Sequence, residues 1–154
     1  MEIKNINEKT FRGILSQLID VYLDGYKDMK EYAYRTRGDA KRYLKWLYHC
    51  DPHSFFIAEE NENILGFISG ARSWWDKTFG EVGEIHELVV RSDHQSKGIG
   101  TKLMEQEISH LSKYHGTIGL WVGENNYRAM KFYEKFGFKE VGRVGIWVRM
   151  IRRD

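Results

Sequence analysis

Val89-Val90-Arg91-Ser92-Asp93-His94-Gln95-Ser96-Lys97-Gly98-Ile99-Gly100-Thr101 carries an apolar strand into a basic glycine turn and on into a helix. Backbone N–H groups at a helix N-terminus have no partner inside the helix, and glycines let a pyrophosphate come close enough to use them. Two familiar phosphate loops fail on spacing. A dinucleotide fingerprint needs a third small residue where Leu103 stands, and a nucleoside-triphosphate loop needs Lys-Ser or Lys-Thr where this chain has Thr101-Lys102. What remains is Gln-x-x-Gly-x-Gly after a strand. Taken alone, it reads equally as a plain strand-to-helix turn.

A second block, Asn126-Tyr127-Arg128-Ala129-Met130-Lys131-Phe132-Tyr133-Glu134-Lys135-Phe136-Gly137-Phe138, follows the strand-like Leu120-Trp121-Val122. In this order and separation the two blocks resemble the GNAT superfamily of acyl-CoA-dependent N-acetyltransferases, with the specific motifs at 84–101 and 120–138. The resemblance implies that the pantetheine arm of acetyl-CoA lies along Leu88, Val89 and Val90, between two splayed strands. It puts the pyrophosphate on the amides of Gln95, Ser96, Lys97, Gly98, Ile99, Gly100 and Thr101. Asn126 would touch the cofactor arm, and Tyr133 would protonate the departing thiolate as general acid. Read without the family, Leu88 to Val90 are core strand, Asn126 is a helix cap, and Tyr133 is a core aromatic beside Phe132 and Phe136. The chain departs from the family where arginine often replaces Gln95 and proline often replaces Ser92.

An amine arrives mostly as ammonium, without a lone pair, so a base must take a proton before attack. Glu84, eleven positions before Gln95, is the first candidate by family position. Strict alternation puts Glu84 and His86 on one face and Glu87 on the other, but a bulge in this strand would swap the phase. Glu87 and His86 therefore stay open. The family recognises acceptors through its first two helices, their connector and the loop before the fourth strand. Here those pieces hold Tyr26, Tyr32, Tyr34, Trp74 and Trp75, and acidic Asp28 and Glu31 would suit a cationic amine.

Composition bounds the rest. At 154 residues, 42% of them hydrophobic, the chain fills one core and is too short for two ordinary domains, so 1–154 reads as a single domain, which the resemblance implies is an N-acetyltransferase domain. A net charge of +2 is too mild for a nucleic-acid partner. No apolar run approaches a membrane span, and the single Cys50 fits a reducing compartment, so a cytoplasmic protein is expected. His49 and His53 are spaced like a helical metal pair, but Pro52 between them argues against metal. A homodimer stays open.

Helical spacing is read for 8–22 after an Asn7 cap, for a second helix from about Asp39 to Asp51-Pro52, for 99–111, and for 126–136. Strands are read at 2–6, 55–58, 64–68, 84–91, 117–122, 138–141 and 144–150, with the last turn at Gly142. The order βααβββαβαββ is an α/β fold, a twisted mixed sheet with helices on both faces. The expected reaction is direct acetyl transfer from acetyl-CoA to a primary amine in a ternary complex. The alternative is a non-catalytic acyl-CoA sensor or interaction module.

Overall fold

A computed structural model describes residues 1–154. The chain runs β1 (Glu2–Asn5), α1 (Glu8–Gly25), α2 (Arg37–Cys50), β2 (Phe56–Glu60), β3 (Asn63–Asp76), β4 (Gly80–Val90), α3 (Ile99–Leu111), β5 (Thr117–Gly123), α4 (Tyr127–Glu134), β6 (Lys139–Val144) and β7 (Trp147–Arg153). The strands form one sheet in the order β1-β2-β3-β4-β5-β7-β6. Every pairing is antiparallel except β4 with β5.

Local chemistry sets the helix limits. Asn7 caps α1 by accepting from Thr10 N–H at 2.8 Å, and Thr36 caps α2 by accepting from Asp39 N–H at 3.1 Å. Asp51-Pro52 ends α2, since proline offers no N–H and holds its predecessor extended. Helices α1 and α2 cover one face through Phe11, Leu18, Leu47 and Tyr48, which pack with Phe55 of the segment before β2, and Phe11 stacks on Tyr48 at 4.2 Å between ring centroids. Helices α3 and α4 cover the other through Leu103, Met104, Leu111 and Met130. Each fully buried side chain of this size contributes about 1.5–3 kcal/mol. No helix is long and apolar enough to cross a membrane.

Three details differ from the sequence reading. Strand β3 runs on to Asp76, so Trp74 and Trp75 lie on a strand and not in the loop before β4. The last hairpin turns at Gly145, in the left-handed region at φ 59, whereas Gly142 sits inside β6 beside an irregularity in its pairing with β7. The third difference is the register of β4. Ser69 pairs with Glu87 but Gly70 pairs with Ile85, so His86 is an extra residue in the strand.

Candidate active site

The two parallel strands stay paired only from Gly83/Ile118 to Ile85/Leu120. Beyond that point β5 keeps its antiparallel bonds to β7, and β4 keeps its bonds to β3 as far as Val90. The facing edges of β4 and β5 are left without each other, and a slot opens between them. A small cavity of about 40 Å³ occupies it, walled by Leu88, Val122, Asn126 and Tyr133 among others. Unpaired strand edges offer N–H and C=O groups to an extended chain. Asn126 does two things here, since it lines the slot and caps α4 by accepting from Ala129 N–H at 3.3 Å.

At the far end of the slot the glycine turn takes the shape a phosphate needs. Ser96 and Gly98 have φ of 66 and 83, and Gly98 starts α3 without a side-chain cap. None of the backbone N–H groups from Gln95 to Thr101 finds an acceptor in the chain. A Cβ added at Gly98 would meet nothing within 4 Å, so the ground over the turn is open. Arg128 of α4 reaches across it, donating to Gln95 Oε1 at 3.0 Å and Ser96 Oγ at 3.2 Å. Ser92, where the family often has proline, is tied by its N–H and hydroxyl to the Asp24 carboxylate at the end of α1.

The bulge at His86 decides which acid faces the slot. It puts Glu87 on the side of α1 and α2, where the carboxylate accepts from the hydroxyls of Tyr26 and Tyr43, the latter at 2.8 Å. His86 packs on the same side, its ring 4.5 Å from Trp74 and 5.3 Å from Trp46. Strict alternation would have separated these two neighbours, and that expectation is corrected. Burial pushes the Glu87 carboxyl up to about 7, against the two tyrosine hydroxyls and the Leu88 N–H that favour its charge. Burial, then the nearby Arg149, push the His86 imidazole down to about 4. Both of its ring nitrogens are buried without a partner. Tyr133 lines the same small cavity, and burial and then Glu87 raise its hydroxyl well above the usual phenol range.

Glu84, first choice as base from sequence, is placed otherwise. Its carboxylate is buried, and both oxygens accept from Arg149 at 2.6 and 2.8 Å; the same guanidinium reaches Asp76 at 3.0 Å. Burial raises the Glu84 carboxyl, while the guanidinium opposes the rise. Gly119 makes room for this pair, since a Cβ there would stand 2.3 Å from Arg149 Nη2. A carboxylate clamped on both oxygens and lining neither cavity at the slot is a strut between β4 and β7.

On the α1–α2 side the slot opens into a cavity of about 600 Å³. Of the residues read from sequence as candidates for acceptor recognition, Tyr26, Tyr32, Tyr34 and Glu31 line this cavity; Asp28, Trp74 and Trp75 do not. Trp75 is 69% exposed on β3. Tyr43, Trp121 and Trp147 also line it, and sequence reasoning missed them as site residues. Tyr43 follows the helical period of α2 and reads only as core, and Arg149 alternates with Val148 and Met150 as any outward strand residue would. Their partners lie 44 and 65 positions away, with no local signal. Tyr32 lies between the two cavities. Its ring packs on Trp147 at 5.5 Å and its hydroxyl accepts from Asn125 N–H at 2.9 Å. It also covers Gly123, where a Cβ would lie 2.4 Å from the ring.

Residues 16–138 match the Acetyltransferase (GNAT) family. An uncharacterized N-acetyltransferase of Methanocaldococcus jannaschii is 34% identical over 99% of this chain and 71% of its own length. A solved structure from Pyrococcus horikoshii OT3 is 45% identical with a TM-score of 0.89, covering 99% of this chain and 98% of that one. The PaiA N-acetyltransferase of Thermoplasma acidophilum, solved with coenzyme A, shares the fold at TM-score 0.73 and 19% identity, with 99% and 98% covered. Motifs, splayed strands and relatives agree: the chain belongs to the GNAT family of acetyltransferases and is an acetyl-CoA-dependent N-acetyltransferase.

Proposed function

We propose that the chain transfers the acetyl group directly to a primary amine, with Glu87 as the base and Tyr133 as the acid. The observation that carries this reading is the position of Glu87, on the walls of both the cofactor slot and the larger cavity, with its carboxyl pushed to about 7. A base of that strength is matched to an ammonium acceptor near neutral pH. Acetyl-CoA supplies the activated thioester. The open amides of Gln95 to Thr101 and the edge that β5 leaves unpaired at Leu88, Val89 and Val90, where Gln95 Nε2 donates to the Val90 carbonyl at 3.3 Å, suit its pyrophosphate and pantetheine. Glu87 takes one proton from the ammonium, the freed amine attacks the thioester carbonyl, and the C–S bond breaks. Tyr133 gives a proton to the departing sulfur and recovers one from the acylated nitrogen through solvent. The Cys50 thiol is pushed up by burial and then by Asp51, away from the thiolate a covalent route would need.

Initial rates of CoA release with a panel of amines test the reading. The wild-type rate rises as pH passes about 7, where Glu87 loses its proton. Glu87→Gln lowers the rate about 10²- to 10⁴-fold, removes that rise, and recovers in part where pH itself supplies free amine. Tyr133→Phe slows single turnover while acetyl-CoA affinity stays close to wild type. A Glu87→Gln protein with the wild-type rate and profile would return the base to a bound water or another side chain.

A further inference from the structure

We infer that the acceptor is a small amine carrying a second positive charge, with Glu31 and the surrounding aromatic rings holding the charge that does not react. The inference rests on the transfer reading above and adds the chemistry of the far end of the acceptor. Of the twelve residues lining the large cavity, seven are tyrosine or tryptophan, two are glutamate, and none is lysine or arginine. One glutamate, Glu87, stands at the slot. The other, Glu31, lies on the connector between α1 and α2, exposed and without an ion pair in the chain.

Charged neighbours do not cancel this bias. Lys30 and Arg35 share the connector but do not line the cavity. Arg149 lies beneath the wall, its guanidinium 5.1 Å from the centroid of the Trp121 ring, and is already held by Glu84 and Asp76. A neighbouring hollow of about 440 Å³ shares Tyr34 and Tyr43 with the cavity, and its one cation, Arg42, is paired with Asp39. His86 is neutral at ordinary pH, its imidazole pushed down to about 4 by burial. The remaining field is that of the Glu31 carboxylate, joined by Glu87 as pH passes about 7, and of the faces of electron-rich rings, which attract a cation and repel a carboxylate. An amine with a neutral tail gains only the packing, and one with an acidic tail meets Glu31 directly.

Cadaverine, pentylamine and the ω-amino acid of matching chain length differ only in the charge at the far end, and CoA release measured with each provides the test. The diamine is expected to have the lowest KM, the neutral amine an intermediate one and the amino acid the highest. Glu31→Gln should shrink the diamine-to-monoamine preference about three- to ten-fold, as loss of one partly screened ion pair and its ring contacts requires. Glu31→Lys should move the preference toward the amino acid. Glu31 is at the surface, so neither change threatens the fold. Monoamine and diamine used equally well by the wild type, or a preference that survives Glu31→Gln, would overturn this inference and leave the transfer reading standing. No CoA release with any of the three, where another amine of the panel does release it, would overturn this inference alone; no release with the whole panel would sink the transfer reading as well.

Discussion

The two sides of the slot are built from different material. On the side proposed for the cofactor the groups on offer are backbone: seven amides from the turn into the first residues of α3, and the edge of β4 that β5 leaves unpaired. On the side proposed for the acceptor they are side chains: two tyrosine hydroxyls on one carboxylate, a wall of rings, and an exposed glutamate. A backbone site depends on where glycine permits an unusual φ, so it leaves a motif. A side-chain site depends on which distant positions converge, and convergence leaves no spacing to read.

Substitutions can break this contrast or sharpen it. The largest effect is expected beneath the acceptor wall. Arg149→Met leaves Glu84 buried without its partner and should cost about 3–5 kcal/mol in denaturant unfolding. Adding Glu84→Gln to it should recover much of that loss; a single Arg149→Met variant as stable as wild type would mean the strut carries no stability.

Next comes the cofactor side. At about 100 times its dissociation constant a ligand stabilises the fold by about 2.7 kcal/mol, read as a rise in melting temperature. Gly98→Val forces a β-branched residue into φ 83 and fills the open ground over the turn, so it should abolish most of that rise. The smallest effect belongs to Lys97→Ala, which removes a charge from the same turn while sparing its amides, and should cost no more than about 1 kcal/mol of it. If Lys97→Ala proved the more damaging, the phosphate site would be a side-chain site after all.

Stability should also depend on pH in a direction set by buried acids. Glu107 of α3 is fully buried with both carboxyl oxygens unpartnered, and burial, then Asp51, raise its carboxyl well above the usual range. A carboxyl raised in the folded state contributes stability that is complete below its unfolded value of about 4.3 and is lost as pH climbs toward the folded value. Glu107→Met should therefore flatten the decline of unfolding free energy with rising pH. An unchanged slope would shift the decline onto Glu84 and Glu87, which are raised as well.

The sequence carried the element order, the glycine turn and the caps at Asn7 and Asn126, because each rests on neighbours within a few residues. It put Glu84 ahead of Glu87 and His86 as the candidate base without being able to place the bulge. One inserted residue, His86, reverses the phase of a strand, and nothing in Gly83-Glu84-Ile85-His86-Glu87-Leu88 marks which residue bulges. Nor could it find Arg149, whose role exists only once β5 and β7 lie side by side. The extension of β3 to Asp76 was hidden for a related reason. Beyond Ala71 the strand is half out of the core, so its apolar pattern fades while its pairing with β4 continues.

Tyr32 is a wall common to both rooms of the site, resting on a glycine that yields its own side chain to make space. Any shift of that ring when one substrate settles is felt in the other room. Such coupling is reciprocal: whatever acetyl-CoA does to acceptor affinity through this ring, the acceptor does equally to acetyl-CoA. Gly123→Ala, which would push the ring off its seat, is thus a change in the conversation between two ligands, and its signature lies in the ratio of their affinities measured apart and together.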